Sequence, residues 1–476
     1  MNEPHRSITV DQVNWSGVLL ITRLSRALSL SLQPNRIIMG FVFVAILMAT
    51  GSVWDAIFGL PVGPGSLEAA PVSREVLDQT LGPIVRNTSL VSGDRAAALA
   101  EAEALDPAAV RRAIEATYRA RPAEEREAFR ADIEPALMNL RLVEPRGVFS
   151  AALDNARRCT GEMLSAAVRL DGGLVVSNLA GLLEIPAILL SRHTLFAVVF
   201  GLWALLVLLI GSAAISRSAA CQFALEQYIP WTTALAFALK RWIAIVGAPG
   251  LPLAALAIGA IALAIGGLLL AVPGLNLIGG VLYGLALAGS AIAACLILLT
   301  LLASGLFVPA VAVESADAPD ALARAYSFVR NRPLHWAAYV VAAFVQGLFG
   351  LLIVSLIAAI TLNFAAWGAG LIVSSPAVES VAGNAGVTQL LPEESGWMLT
   401  GTHRATGGLI GLWRTVVAGL VAGWAFSYYS CATTVLYFLM RKATDDQDLE
   451  EIWQPGLIEG TMAPGRASVG DEADSV

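Results

Sequence analysis

The stretch from Trp242 to Val313 decides the fold: WIAIVGAPGLPLAALAIGAIALAIGGLLLAVPGLNLIGGVLYGLALAGSAIAACLILLTLLASGLFVPAVAV. It contains no Asp, Glu, Lys, Arg or His. A helix crosses a bilayer with about 20 mostly apolar residues, so this run is too long for one pass. Pro273-Gly274-Leu275-Asn276 supplies a turn that divides it into two helices. A hydrocarbon core leaves no water to satisfy an open backbone, so two adjacent apolar passes predict α-helices.

The rest of the chain agrees. Apolar residues make up 57% and charged residues 14%. Soluble domains carry about 25% charge, so the membrane class follows. Four further uncharged or nearly uncharged runs complete an all-α polytopic transmembrane helical bundle of about six spans. Helix one covers 37–54, helix two 194–216, helices three and four 242–305, helix five 335–372, and helix six 407–440. The first run ends at Trp54-Asp55 without an A-x-A site, which predicts an uncleaved span.

Arginine and lysine in short flanks favour the cytoplasmic side. Arg23, Arg26 and Arg36 precede helix one; Arg217, Lys240 and Arg241 follow helix two. Arg324, Arg330 and Arg332 follow helix four; Arg441 and Lys442 follow helix six. Six passes put all four clusters on one side, with both termini cytoplasmic. Segment 1–36 is then a cytoplasmic amphipathic segment whose part 14–33 lies on the inner leaflet. Segment 441–476 is an acidic cytoplasmic tail, Gly-, Pro- and Ala-rich toward its end and expected to be disordered there.

Residues 55–193 form the largest extramembrane segment, an expected extracytoplasmic helical insertion. Asp106-Pro107 reads as an N-cap followed by proline at the first helical position. Pro122 with Glu124 and Glu125 opens another helix, and a third covers 148–170, stopping at Gly172-Gly173. Residues 174–190 are apolar but interrupted by Glu184 and Pro186, and predict an interfacial helix, not a seventh span. A second, polar external loop covers 373–406.

Two cytoplasmic elbows, 217–241 and 306–334, resemble each other. Each has a glutamate (Glu226, Glu314), then a proline, an Ala-Leu-Ala segment and a basic end. Amphipathic elbow helices at the inner interface are predicted, with Trp231, Trp242, Tyr326 and Trp336 at headgroup depth. Helices two and three, and four and five, would be parallel repeats. Glu226 and Glu314, with Arg217 and Arg324, are the candidate structural or gating residues; locking of the elbows to the bundle is the expected role.

The segment Val308-Pro309-Ala310-Val311-Ala312-Val313-Glu314, followed by Ala321-Leu322-Ala323-Arg324-Ala325-Tyr326-Ser327, carries a resemblance. So do Ser427-Tyr428-Tyr429, Thr434 to Arg441, and Asp445. Over roughly 195–452 the chain resembles uncharacterised bacterial polytopic membrane proteins. It is also similar to the membrane domain attached to some glycerophosphodiester phosphodiesterases. The resemblance implies a fold and an inner-membrane location. It implies no phosphodiesterase activity, because no segment is long or soluble enough for that barrel.

Chemical motifs are missing. The sequence has no P-loop, no HExxH and no GxSxG. Cys159, Cys221, Cys295 and Cys431 form no CxxC pair, and His5, His193, His335 and His403 are scattered, so no cofactor or metal is expected. Nothing basic enough for nucleic acid is present. The external acids alternate with arginines as solvated helix faces. Cys159 should react with an impermeant thiol reagent from outside, and Cys221 should not. These features favour a non-enzymatic membrane scaffold or assembly partner that contacts the bilayer and a membrane or envelope protein. The alternative is a permease for a neutral or lipid-like substrate, favoured by the repeat and the Pro- and Gly-broken helices.

Overall fold

The computed structural model describes residues 20–58, 74–87, 106–141, 143, 145–371, 385–391 and 401–454, with a few isolated positions between them. After a 3-10 turn at Leu20–Ser25 come α1 (Arg26–Ser31) and α2 (Pro34–Phe58). Then follow α3 (Arg74–Arg86), α4 (Pro107–Ala120), α5 (Ala123–Arg141), α6 (Val148–Val168) and α7 (Gly172–Arg192). The remainder is α8 (Thr194–Leu225), α9 (Trp231–Lys240), α10 (Trp242–Ala271), α11 (Leu275–Glu314), α12 (Ala318–Asn331), α13 (Pro333–Gly370) and α14 (Gly401–Asp445). No strand forms among the described residues; Val62 and Arg146 make one isolated backbone bridge. The chain is an all-α polytopic membrane protein whose long helices contact the lipid bilayer.

Among the described residues, seven helices are long and apolar enough to cross a membrane: α2, α7, α8, α10, α11, α13 and α14. Six of them correspond to the expected spans. The additional one, α7, covers the 174–190 stretch expected to be interfacial. Gly172-Gly173 opens α7 and does not close α6, because the Asp171 carboxylate caps it, accepting from the Leu174 amide at 3.1 Å. Pro34 likewise begins α2, where its missing N–H is harmless. The part of the 14–33 segment before Leu20, most of the 373–406 loop, and the tail beyond Gln454 lie outside the described residues.

The chain divides into two compact units whose boundaries fall inside α2, α8, α13 and α14. The first unit holds the start of α2, the end of α8, α9 to α12, the start of α13 and the end of α14. Its helices meet through small residues, as membrane helices do when backbones approach closely. A Cβ on Gly40 of α2 would collide with the main chain of Gly423 in α14. Gly347 and Gly350 of α13 make room for Tyr428 and Trp424 of α14, and Gly211 of α8 for Phe43 and Phe426. Ser430 Oγ reaches Ser212 Oγ at 3.1 Å. The last turns of α14, Val435 to Arg441, are therefore buried.

The α10–α11 hairpin turns at Gly274, whose φ of +89° suits only glycine without strain. Asn276 Oδ1 accepts from the Gly274 amide at 3.2 Å. Among the described side chains from Leu251 to Leu302, only Pro252 and Gly279 are buried.

The second unit contains a small bundle of α3, α4 and α5. Its core is Leu81, Ile84, Val110, Ile114, Phe129, Ile133 and Leu140. Asp106 caps α4 by accepting from the Ala108 amide at 3.1 Å. A second cluster joins the end of α2 to the start of α8 through Trp54, Phe196 and Phe200, with Phe149 of α6. Asp55 caps α6 from a distance, accepting from the Phe149 and Ser150 amides at 3.0 and 2.9 Å. Gly147 fits there because any side chain would strike Asp55. Asn363 of α13 clamps Ala385 through both its amide oxygen and its amide nitrogen, at 3.0 and 2.7 Å.

Candidate functional site

A buried polar network forms where α2 begins and α8, α11 and α14 end, all within the first unit. Glu314 is the last residue of α11, and its side chain is 1% exposed. Its Oε1 accepts from the Tyr437 hydroxyl at 2.6 Å and lies 3.7 Å from Arg441 Nη1. Its Oε2 contacts Arg324 of α12. Burying a carboxylate is costly unless it is paired and hydrogen-bonded, and here two guanidinium groups and a hydroxyl supply both.

Arg441 is fully buried, and its Nη2 donates to the carbonyls of Asp448 and Glu451 at 2.9 and 2.6 Å. Arg217 of α8 donates to the Ala312 carbonyl at 2.9 Å and to the Trp453 carbonyl at 2.8 Å. The Arg217 guanidinium also lies 4.8 Å from the Phe237 ring of α9. The Trp453 amide donates to the Val313 carbonyl at 3.0 Å. Residues 446–454 thus form a strap against the ends of α8 and α11, with Ile452 fully buried. At the exposed start of the strap, the hydrogen bond from Lys442 holds the Asp446 carboxyl below its ordinary range.

Arg36 is a third buried guanidinium. It donates to Ser218 Oγ and Ser218 O at 3.1 and 2.9 Å, to Gln222 Oε1 at 2.7 Å and to Leu30 O at 2.7 Å. Carbonyl acceptors of this kind finish helix ends whose last carbonyl groups have no intrahelical partner. Arg241 Nη1 lies 3.4 Å from Asp317 Oδ1, which ties the end of α9 to the start of α12.

The structure brings Glu314 and Arg324 together, and it places Arg217 two residues along the same carbonyl row, on Ala312. Glu226 stands apart: it is exposed, with a left-handed φ of 56°. The reason is a register difference of one residue. Glu226 follows the end of α8, whereas Glu314 is the last residue of α11 and the left-handed position falls on Ser315, φ 55°. One residue rotates a side chain by about 100° around a helix. Of the two equivalent glutamates, one is therefore buried and the other exposed. Each elbow still ends alike, with a single arginine, Arg241 or Arg332, between the short helix and the next long one.

Tyr437, Arg36 and Trp453 are network members that the sequence did not single out. Arg36 and Arg441 looked like flanking positive charges, and Tyr437 sits within an apolar run. The apolar Ile452-Trp453 pair within an acidic stretch of the tail was the available signal. Both Cys159 and Cys221 are buried, so the difference in thiol reactivity expected between them is not available as a topology marker. Cys159 is covered by α7, since a Cβ on Gly181 would be 3.3 Å from its sulfur.

Among the described residues no three His, Cys, Asp or Glu side chains gather as metal ligands. Comparison with protein families, curated proteins and solved structures found no match for this chain.

Proposed function

We propose that the chain is a non-enzymatic membrane scaffold or assembly partner in the bacterial inner membrane, with both termini cytoplasmic. One observation carries the reading. The buried charges of the first unit, Arg36, Arg217, Glu314 and Arg441, are engaged with one another and with the chain's own carbonyl groups. Such a network locks helix ends, elbows and strap together. The gathering of the basic clusters at one end of the helices supports the orientation, by the preference of Arg and Lys for the cytoplasmic side. The insertion bearing α3 to α5 and the acidic tail are the surfaces offered to a membrane or envelope partner. The likeness of 195–452 to membrane domains beside glycerophosphodiester phosphodiesterases is part of the same proposal and rests on its short motifs.

Purification in native membrane discs with crosslinking tests the scaffold. A partner at fixed stoichiometry is expected; a solitary monomer would overturn it. A permease for a neutral or lipid-like substrate is the second reading. It is favoured by the repeated long–short–long units α8–α10 and α11–α13, with Pro249, Pro252 and Pro309 inside long helices. Substrate flux in reconstituted vesicles separates the two.

A further inference from the structure

We infer that α6 and α7 form a hairpin lying along the membrane surface, with the free face of α7 buried in lipid. The inference holds for either the scaffold or the permease reading. By length and hydropathy α7 qualifies as a span. Three other observations decide against a crossing.

The first is parity. Arg36 at the start of α2 bonds Ser218 and Gln222 near the end of α8. At the opposite ends, the Trp54 and Phe196 rings are 5.5 Å apart, and Trp203 Nε1 lies 3.3 Å from Thr50 Oγ1. The chain therefore leaves along α2 and returns along α8. Whatever lies between them crosses an even number of times. A crossing by α7 requires a second one.

The second is charge. Among the described residues between α2 and α8, α7 alone is apolar and long enough to span. Its companion would have to be α6, which packs beside it after a tight turn at Leu170, φ 57°. That helix carries Asp154, Arg157, Arg158 and Glu162. A charged residue at the centre of a span is costly and is rarely found facing lipid. Arg157 and Arg158 sit at the middle of α6 and are exposed.

The third is the face of α7 itself. Val176 is 65% and Leu183 72% exposed, and Leu174 and Leu190 join them. This surface continues past His193 into the exposed Leu195, Val198, Val199 and Leu202 of α8, a helix long and apolar enough to cross a membrane. Glu184, exposed near the midpoint of α7, reaches water from the membrane surface but not from the bilayer centre. An apolar face backed by a charged companion is the pattern of a helix buried about 5–10 Å at the headgroup boundary.

Single cysteines at Gly172 and Ser191 in the full chain test this. Both positions are exposed, and Gly172 faces open space. In sealed vesicles, G172C and S191C should both react with an impermeant maleimide from the same side. Labelling from opposite sides would overturn the surface hairpin. A nitroxide at Leu183→Cys should collide with oxygen more than with a water-soluble nickel chelate, and one at Arg158→Cys should show the reverse. Equal nickel access at both would remove the lipid contact.

Discussion

Glu314 shows how much one side chain can hold. Its carboxylate answers Tyr437, Arg324 and Arg441 together, and Arg441 is fully buried. Removing one member of a buried pair leaves the other charge without compensation, at about 3–5 kcal/mol. Glu314→Leu should therefore lower the thermal midpoint in detergent sharply. Glu314→Leu and Arg441→Met combined should lose less than the sum of the two single losses, because each single variant leaves a buried charge without its partner. Losses that simply add would refute the coupling. Asp55 offers a milder case, because it caps α6 across 94 residues of sequence. Asp55→Ala should cost about 0.5–2 kcal/mol and speed hydrogen exchange at the Phe149 and Ser150 amides. The sequence grouped Glu314 with Arg324, Arg217 and Glu226 as candidates for locking the elbows. The exposure of Glu226 was not legible, because it depends on where each helix stops.

At the scale of the element, glycines divide into two kinds. Gly40 and Gly423 let α2 and α14 touch backbone to backbone. Gly280 and Gly284 in the α10–α11 hairpin face open space. Gly40→Ala should separate its helix pair and destabilise by about 1–3 kcal/mol, as overpacking does. Gly280→Ala meets nothing and should be neutral or slightly stabilising, because alanine is the better helix former. Thermal midpoints of the two variants measure the contrast, and equal losses would contradict this packing. The strap is likewise an element defined by its contacts. Arg217 and Arg441 hold residues 448–453 through main-chain carbonyl groups. Arg217→Met should expose the strap to protease ahead of the helices. Helix spans were readable from hydropathy. The strap was not, since only Leu449, Ile452 and Trp453 in it are apolar and its partners lie in distant helices.

For the molecule as a whole, four basic clusters spread along the chain meet at one end of the long helices. Charge repulsion would oppose that gathering if the guanidinium groups were not occupied by Glu314, Asp317 and carbonyl oxygens. In the proposed orientation this end faces the cytoplasm, by the positive-inside preference of Arg and Lys. Arg330→Cys and Arg158→Cys, both exposed, should react with an impermeant thiol reagent from opposite sides of the membrane. Reaction from the same side would refute the placement of Arg330 and Arg158 on opposite sides. Sequence counting reached about six passes by matching the basic flanks. The structure adds that α2 and α8 meet at both ends, which makes the number of crossings between them even.

The sequence by itself determined that this is a helical membrane protein, where its long helices lie and which of their ends are basic. Hydropathy and charge are properties of a segment alone, and they set whether a helix is able to enter lipid. The tertiary structure decided which glutamate is buried, that Asp55 caps a distant helix, and that residues 446–454 are strapped to the bundle. Each of these is an interaction between two partners far apart in the chain. Its free energy exists only once packing has brought both to the same place.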